Sequence, residues 1–348
     1  MASLTLQRAA LRALLSLPSP VLRSMSGGAA VYRGGRTLDP AFQMMAAMGR
    51  RAPPLASLPP EEARRVTAQA LAACAQPSPK GVKTEPLNLE GPRGAIPARI
   101  YRPARQDPAA ALMVYAHMGG GVIGDLATSD GFCGRLAETA RGPVLSVEYR
   151  LAPEHRFPAG LEDVLAAYRW GRDHAGRLGA PEGQAAIGGD SIGGGFAAAV
   201  CQMLREAGEP QPVLQLLVYP CVDVASETAS VTTYADAYPL SRATMDWFMG
   251  HYLGPNDDPA DPRLSPLREP DLTGLAPAVI ATAGFDPLLD QGELYARRLR
   301  QAGVRTTYRG YDGLAHGFTA FSGVIAGAAA ACAEIAGLVR QELEGRMD

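Results

Sequence analysis

No acidic residue precedes Asp39, although Arg8, Arg12, Arg23, Arg33 and Arg36 all fall in that stretch. The imbalance is local. The whole chain of 348 residues carries a formal net charge of −2, which points to neither nucleic acid nor a strongly charged partner surface. No apolar run is long enough to span a bilayer, and no transmembrane segment is expected. Arg8 and Arg12 interrupt the N-terminal apolar segment, which argues against a secretory signal. No C-x-x-C spacing links Cys74, Cys133, Cys201, Cys221 and Cys332. An odd, dispersed set of thiols fits a reducing cytoplasm better than a disulfide framework. The five histidines form no H-E-x-x-H or other ligand cluster, so no metal is expected. There is no internal repeat and no low-complexity tract.

The basic N-terminus reads as a short helix. Leu4, Leu11, Leu14 and Leu15 share one face of a segment that ends near Pro18. A transit peptide has a similar composition, and an amphipathic helix on a membrane surface is a further alternative. The favoured reading is a structural helix packed on the protein. Two more helices follow, Ala41 to Met48 and Pro60 to Cys74, separated by prolines.

With 47% hydrophobic residues, 39 Gly and 29 Pro, the chain supports one large domain with a smaller appended element. Strand candidates are Val82 to Asn88, Ala95 to Tyr101, Ala110 to Ala116, Val144 to Tyr149, Ala185 to Ile187, Val213 to Tyr219, Ala278 to Ala283 and Thr306 to Tyr311. Helices are expected over Ser129 to Thr139, Leu161 to Ala175, Phe196 to Glu206, Gln291 to Ala302 and Gly317 to Leu343. This alternation predicts an α/β fold: a mostly parallel eight-stranded sheet with helices on both faces and an antiparallel first pair at one edge. Residues 226–254 break the rhythm with Tyr234, Tyr238, Met245, Trp247, Phe248 and Tyr252. They are expected to join residues 1–75 as a helical cap over a core formed by residues 76–225 and 255–348.

Within that core, Gly189-Asp190-Ser191-Ile192-Gly193 lies between a short apolar run and a stretch rich in helix formers. A P-loop would need a Lys after its last Gly, and a dinucleotide fingerprint would need Gly-x-Gly-x-x-Gly; neither is present. A glycine-rich turn without chemistry is the plainer reading. The strand-to-helix context favours a strained elbow that presents the Ser191 hydroxyl as a nucleophile. A serine nucleophile needs a base, and the base an orienting carboxylate. In the chain order Ser, acid, His, the base is His316, because His155 and His174 precede the serine and His251 lies in the insertion. Asp286 ends a strand beside Pro287 and is the preferred acid; Asp290, in the first helical turn, and Asp223 are rivals. The run His117-Met118-Gly119-Gly120-Gly121 after an apolar strand offers unobstructed backbone N–H groups for an oxyanion, joined by the Ile192 amide.

Several motifs in order resemble the hormone-sensitive lipase family of α/β-hydrolases, in its bacterial carboxylesterase branch. Tyr115-Ala-His117-Met-Gly-Gly-Gly-Val-Ile-Gly-Asp125 is similar to Y-x-H-G-G-G-aromatic-x-x-G-D, and Tyr149 to His155 matches Y-R-L-A-P-E-H. Gly189 to Gly194 is similar to G-D-S-A-G-G, Asp286 to Asp290 to D-P-L-x-D, and His316 to Phe318 to H-G-F. The resemblance spans about residues 80 to 320. It implies the α/β-hydrolase fold and cofactor-free hydrolysis of short- to medium-chain acyl esters through an acyl-enzyme on Ser191, with a helical cap and frequent homodimers. A non-catalytic receptor, a lyase or an amide hydrolase of the same fold are the alternatives. By the same resemblance Gly119, Gly120 and Ile192 are the oxyanion donors, His117 orders the loop, and Glu154 is structural. Three positions depart from the family: Met118 replaces a Gly, Gly121 replaces a bulky aromatic, and Ile192 replaces Ala. Met118, Gly121 and Asp190 are expected to border the substrate pocket, with Gly121 opening one wall.

Overall fold

A computed structural model describes residues 3–345. The N-terminal segment begins with helices α1 (Leu4–Leu15) and α2 (Ser19–Met25) and a hairpin of two-residue strands, β1 (Tyr32–Arg33) and β2 (Arg36–Thr37). Helices α3 (Pro40–Gly49) and α4 (Pro60–Cys74) complete it, each carrying proline in its first turn, where no amide partner is lost. Asp39 caps α3 by accepting from the Ala41 amide at 2.8 Å.

The eight-stranded sheet follows: β3 (Val82–Gly91), β4 (Gly94–Pro103), β5 (Leu112–Ala116), β6 (Val144–Val147), β7 (Ala185–Asp190), β8 (Gln215–Val218), β9 (Ala278–Phe285) and β10 (Thr306–Ala315). Their order across the sheet is β10-β9-β8-β7-β5-β6-β4-β3. All neighbours from β6 to β10 pair in parallel; β3 with β4 and β4 with β6 are antiparallel. The central strands β5 to β8 are buried at every position, as continuous apolar runs covered on both faces must be.

Between them lie α5 (Asp130–Ala140), α6 (Ala159–Asp173), the single turn α7 (Ala175–Leu178), α8 (Ile192–Glu206), α9 (Ala229–Thr233), α10 (Arg242–Tyr252), α11 (Leu289–Gln301) and α12 (Ala326–Glu344). Helices α6, α8 and α11 contribute to one core cluster and α5 and α12 to the other, one on each side of the sheet. All five cysteines are free and buried.

One helix departs from expectation. The segment after His316 does not run as one helix from Gly317; a 3-10 turn, Phe318–Phe321, precedes α12. Gly317 has φ +73°, and both phenylalanines turn into the core, Phe318 against Tyr219 and Phe321 against Phe42. The Gly323 amide then donates to the Cys74 carbonyl at 3.0 Å, so the chain is pinned to α4 before α12 begins.

Candidate active site

Strand β7 passes directly into α8 at Ser191, whose backbone lies at φ 57°, ψ −120°. A non-glycine residue in that region is strained and persists only where its surroundings enforce it. Two glycines permit it. A Cβ on Gly189 would lie 2.3 Å from the Gly193 carbonyl carbon, and one on Gly193 would lie 2.1 Å from the Ala116 oxygen. Strand, helix and the neighbouring β5 end therefore meet closer than any side chain would allow. The elbow holds the serine at the N-terminus of a 15-residue helix, whose dipole favours negative charge.

His316 follows the end of β10 and Asp286 the end of β9, adjacent strands beyond whose C-terminal ends both side chains converge. His316 Nδ1 lies 2.7 Å from Asp286 Oδ2, and Nε2 lies 2.9 Å from Ser191 Oγ. A carboxylate can only accept, so Nδ1 carries the proton and Nε2 is left to accept from the serine hydroxyl. The other Asp286 oxygen accepts from the Leu288 amide at 2.8 Å, which fixes the carboxylate's rotation. Asp286, Ser191 and His316 are all buried. The rival acids are engaged elsewhere. Asp290 accepts from the Ser230 amide at 2.7 Å, joining α11 to α9, and Asp223 accepts from Ser226 and Arg268.

The glycine loop stands across from Ser191. Gly119, Gly120 and Gly121 have φ of +132°, +61° and +73°. The Gly119 carbonyl accepts from the Val122 and Ile123 amides at 3.0 and 2.9 Å, closing the loop into a turn that leaves the Gly119 and Gly120 amides out of its own bonding. His117 supports it from below. Its Nδ1 donates to the Met118 carbonyl at 2.8 Å, its ring stacks on Tyr149 at 4.3 Å, and the Tyr149 hydroxyl donates to the His117 carbonyl at 2.8 Å. Burial pushes the His117 pKa down to about 4, so this imidazole is neutral and serves as a prop.

A cavity of about 930 Å³ opens over these groups. Ser191, His316, Met118, Gly119, Gly120 and Ile192 line its floor. Its opposite wall comes from α3, α4 and the segment bearing α9 and α10, including Leu240, Met245 and Phe248. Two expected pocket residues are not among its lining. Gly121 sits against α10: a Cβ there would lie 2.7 Å from the Tyr252 ring, and its carbonyl accepts from the Ala152 amide at 2.8 Å. The space left by the missing aromatic is thus filled by Tyr252 rather than opened to substrate. Asp190 points beneath the elbow, fully buried. Its Oδ2 lies 2.9 Å from the Tyr219 hydroxyl and 3.0 Å from the Thr319 hydroxyl, and the two hydroxyls also meet each other, so the three oxygens share the two hydroxyl protons. Burial raises the Asp190 pKa, and its bonds tie the serine strand to the turn that carries His316.

Sequence reasoning did not assign Phe248, Tyr219, Thr319 or Arg64. Phe248 lies in an aromatic-rich stretch, a detectable signal. Arg64 gave none, yet from α4 it donates to the Val122 and Ala152 carbonyls at 2.8 and 2.7 Å and pairs with Glu154. It thereby stitches α4 to both loops beside the site. No group of three or more potential metal ligands gathers among the described residues.

A hydroxyl, imidazole and carboxylate linked in this way beneath an apolar cavity have the geometry of a serine hydrolase site, here on a doubly covered parallel sheet. A family model described as alpha/beta hydrolase fold matches residues 113–320. Carboxylic ester hydrolase LipN of Mycobacterium tuberculosis is 42% identical over 335 residues, covering 94% of this chain and 89% of that protein. Ethyl acetate hydrolase of Pseudomonas putida is 38% identical, over 78% of this chain and 87% of its own. A crystal structure of an alpha/beta hydrolase enzyme from the metagenome of Lake Arreo, Spain, superposes with a TM-score of 0.83 at 41% identity, covering 86% of this chain and 95% of that one. The chain belongs to the alpha/beta hydrolase family, among its hormone-sensitive-lipase-like carboxylesterases.

Proposed function

We propose that the protein hydrolyses carboxylic esters of short to medium acyl chain through an acyl-enzyme on Ser191. The observation that carries this reading is the unbroken chain Ser191 Oγ, His316, Asp286, with separations of 2.9 and 2.7 Å, at the floor of the cavity. His316 takes the hydroxyl proton as Ser191 attacks the ester carbonyl. Asp286 holds the tautomer and stabilises the charged imidazole. The Gly119, Gly120 and Ile192 amides receive the oxyanion; one such donor contributes about 3 kcal/mol to transition-state stabilisation. His316 then protonates the leaving alcohol, and a water molecule repeats the sequence on the acyl-enzyme.

Residues 1–75 and 226–254 act in this reading as a helical cap, supported by their joint lining of the cavity wall. No helix of the described residues is long and apolar enough to cross a membrane. The five free thiols support a cytoplasmic setting. A homodimer, as the family resemblance implies, belongs to the same proposal and is read by light scattering. The reading is tested with p-nitrophenyl esters of increasing acyl length and a fluorophosphonate trap followed by intact mass. One adduct on the wild type and none on Ser191→Ala is expected. Ester turnover surviving in Ser191→Ala would overturn it.

A further inference from the structure

Eight large apolar side chains are exposed among the described residues, and six of them, Leu4, Leu6, Leu17, Val21, Met25 and Tyr32, fall within the first 32 positions. Leu6 is 60% exposed and Met25 50%. On α1, Leu6 shares the outward face with Ala9, Ala10 and Ala13, also exposed, while Leu4 lies on the side of buried Leu15 and half-buried Leu11 and Leu14. Helix α1 packs on α4, and α2 on α3. Helices α3 and α4 line the cavity; α1 and α2 do not, and form an outer layer over that wall.

The charges on this layer have one sign. Arg8, Arg12 and Arg23 are its charged residues, and no carboxylate precedes Asp39. The ion pairs nearby are made by Arg33, Arg36, Arg64 and Arg65, not by these three. Arg8 instead donates to the Ala72 carbonyl at 2.7 Å, and Arg12 is exposed. Exposed apolar groups gathered in one segment mark an interaction surface. A second copy of the chain would bring arginine toward arginine with no carboxylate to answer it. An anionic lipid surface supplies both missing counterparts, an apolar layer and negative headgroups.

We propose that the α1–α2 face docks on an anionic bilayer, with its leucines, valine and methionine at the acyl boundary and Arg12 among the headgroups. Docking would set the outer side of the cavity wall against the lipid. The inference is independent of the ester-hydrolase reading, because its test measures binding.

The full-length protein is floated with vesicles of phosphatidylcholine alone and of phosphatidylcholine with one-quarter phosphatidylglycerol, at low salt and at about 0.5 M salt. Each arginine at an anionic surface contributes roughly a fivefold gain in partition. Binding to the anionic vesicles, weakened by salt and at least tenfold by Leu6→Ser/Leu17→Ser/Val21→Ser/Met25→Ser, is expected. Arg12→Glu should weaken it on anionic vesicles and not on neutral ones. Both variants keep wild-type turnover of a soluble acetate ester, which shows that they fold. Equal partition to neutral and anionic vesicles, or unchanged flotation of the quadruple variant, would overturn the proposal. So would a dimer in light scattering that only the quadruple variant loses, since a second copy would then cover this face.

Discussion

Phe248→Ala should widen the cavity without disturbing the chemistry. Phe248 projects from α10 onto the glycine loop, and its ring atoms lie 2.3 to 2.6 Å from where a Cβ on Gly120 would stand. It also lines the cavity, so the ring is at once a wall and the loop's upper neighbour. Truncating a well-buried phenylalanine costs about 3–5 kcal/mol, and the lower end applies here because one flank already borders open space. The vacated volume admits roughly three further methylenes of a bound ester, at about 0.8 kcal/mol each. Together that is about 2.4 kcal/mol, or roughly fiftyfold in kcat/KM for an ester long enough to reach the space. The assay is kcat/KM across p-nitrophenyl acetate, butyrate, hexanoate and octanoate. The octanoate-to-acetate ratio should rise between about tenfold and fiftyfold, with acetate itself within about threefold of wild type. A uniform fall across the series would refute the reasoning: Phe248 would then hold the Gly119 and Gly120 amides in place rather than limit the chain that fits.

Other expectations follow from the same geometry. Ser191→Ala and His316→Ala should each lower kcat by several orders of magnitude, and the double variant should be little worse than either, because the residues act as a unit; stopped assays with trap labelling read this. Asp286→Asn should reduce kcat far more than Asp290→Asn, whose carboxylate bonds Ser230 and not His316. Gly193→Ala should fail to accumulate as folded protein, since its Cβ would stand 2.1 Å from the rigid Ala116 carbonyl; soluble yield and thermal melting check it. Neutral, buried His117 binds its proton only near pH 4 in the folded chain but near 6.5 when unfolded. Its contribution is therefore complete above about pH 6.5 and is lost as pH falls toward 4, amounting to about 3 kcal/mol in all. Denaturant titrations should show that slope in the wild type and a flatter one in His117→Gln.

The layout of the sheet was legible because its signals are local. The inner strands β5 to β9 are apolar runs, the outer strands β3, β4 and β10 are mixed in polarity, and all eight lie where expected, extended or trimmed by a few residues. Asp286 is preferred to Asp290 on the adjacent Pro287, a local signal, and it is the Asp286 carboxylate that lies 2.7 Å from His316 Nδ1. What escaped depends on contacts between distant segments. Gly121 reads in sequence as a missing wall, but Tyr252 supplies a ring from α10, and no pattern near Gly121 announces it. Asp190 beside the nucleophile reads as a pocket group, yet its partners Tyr219 and Thr319 come from β8's end and from the turn after His316. The break before α12 falls in a stretch holding Gly317, Thr319, Ser322 and Gly323, weak helix formers, where Phe318 and Phe321 turn into the core.

The buried cysteines make the molecule a clean background for site-specific labelling. Burial raises the pKa of each thiol, to about 11 at Cys74 and about 12 at Cys221 and Cys332, so little reactive thiolate exists at neutral pH. Cys221 borders the cavity, where a small reagent could meet it, but its thiol stays protonated. A cysteine introduced at an exposed position such as Leu6 or Leu294 would then outcompete all five native thiols for a maleimide dye. Wild-type protein serves as the unlabelled control. Fluorophores placed singly on α1 and on α11 could report distances from a lipid surface or between subunits, with no need to remove any native sulfur from the core.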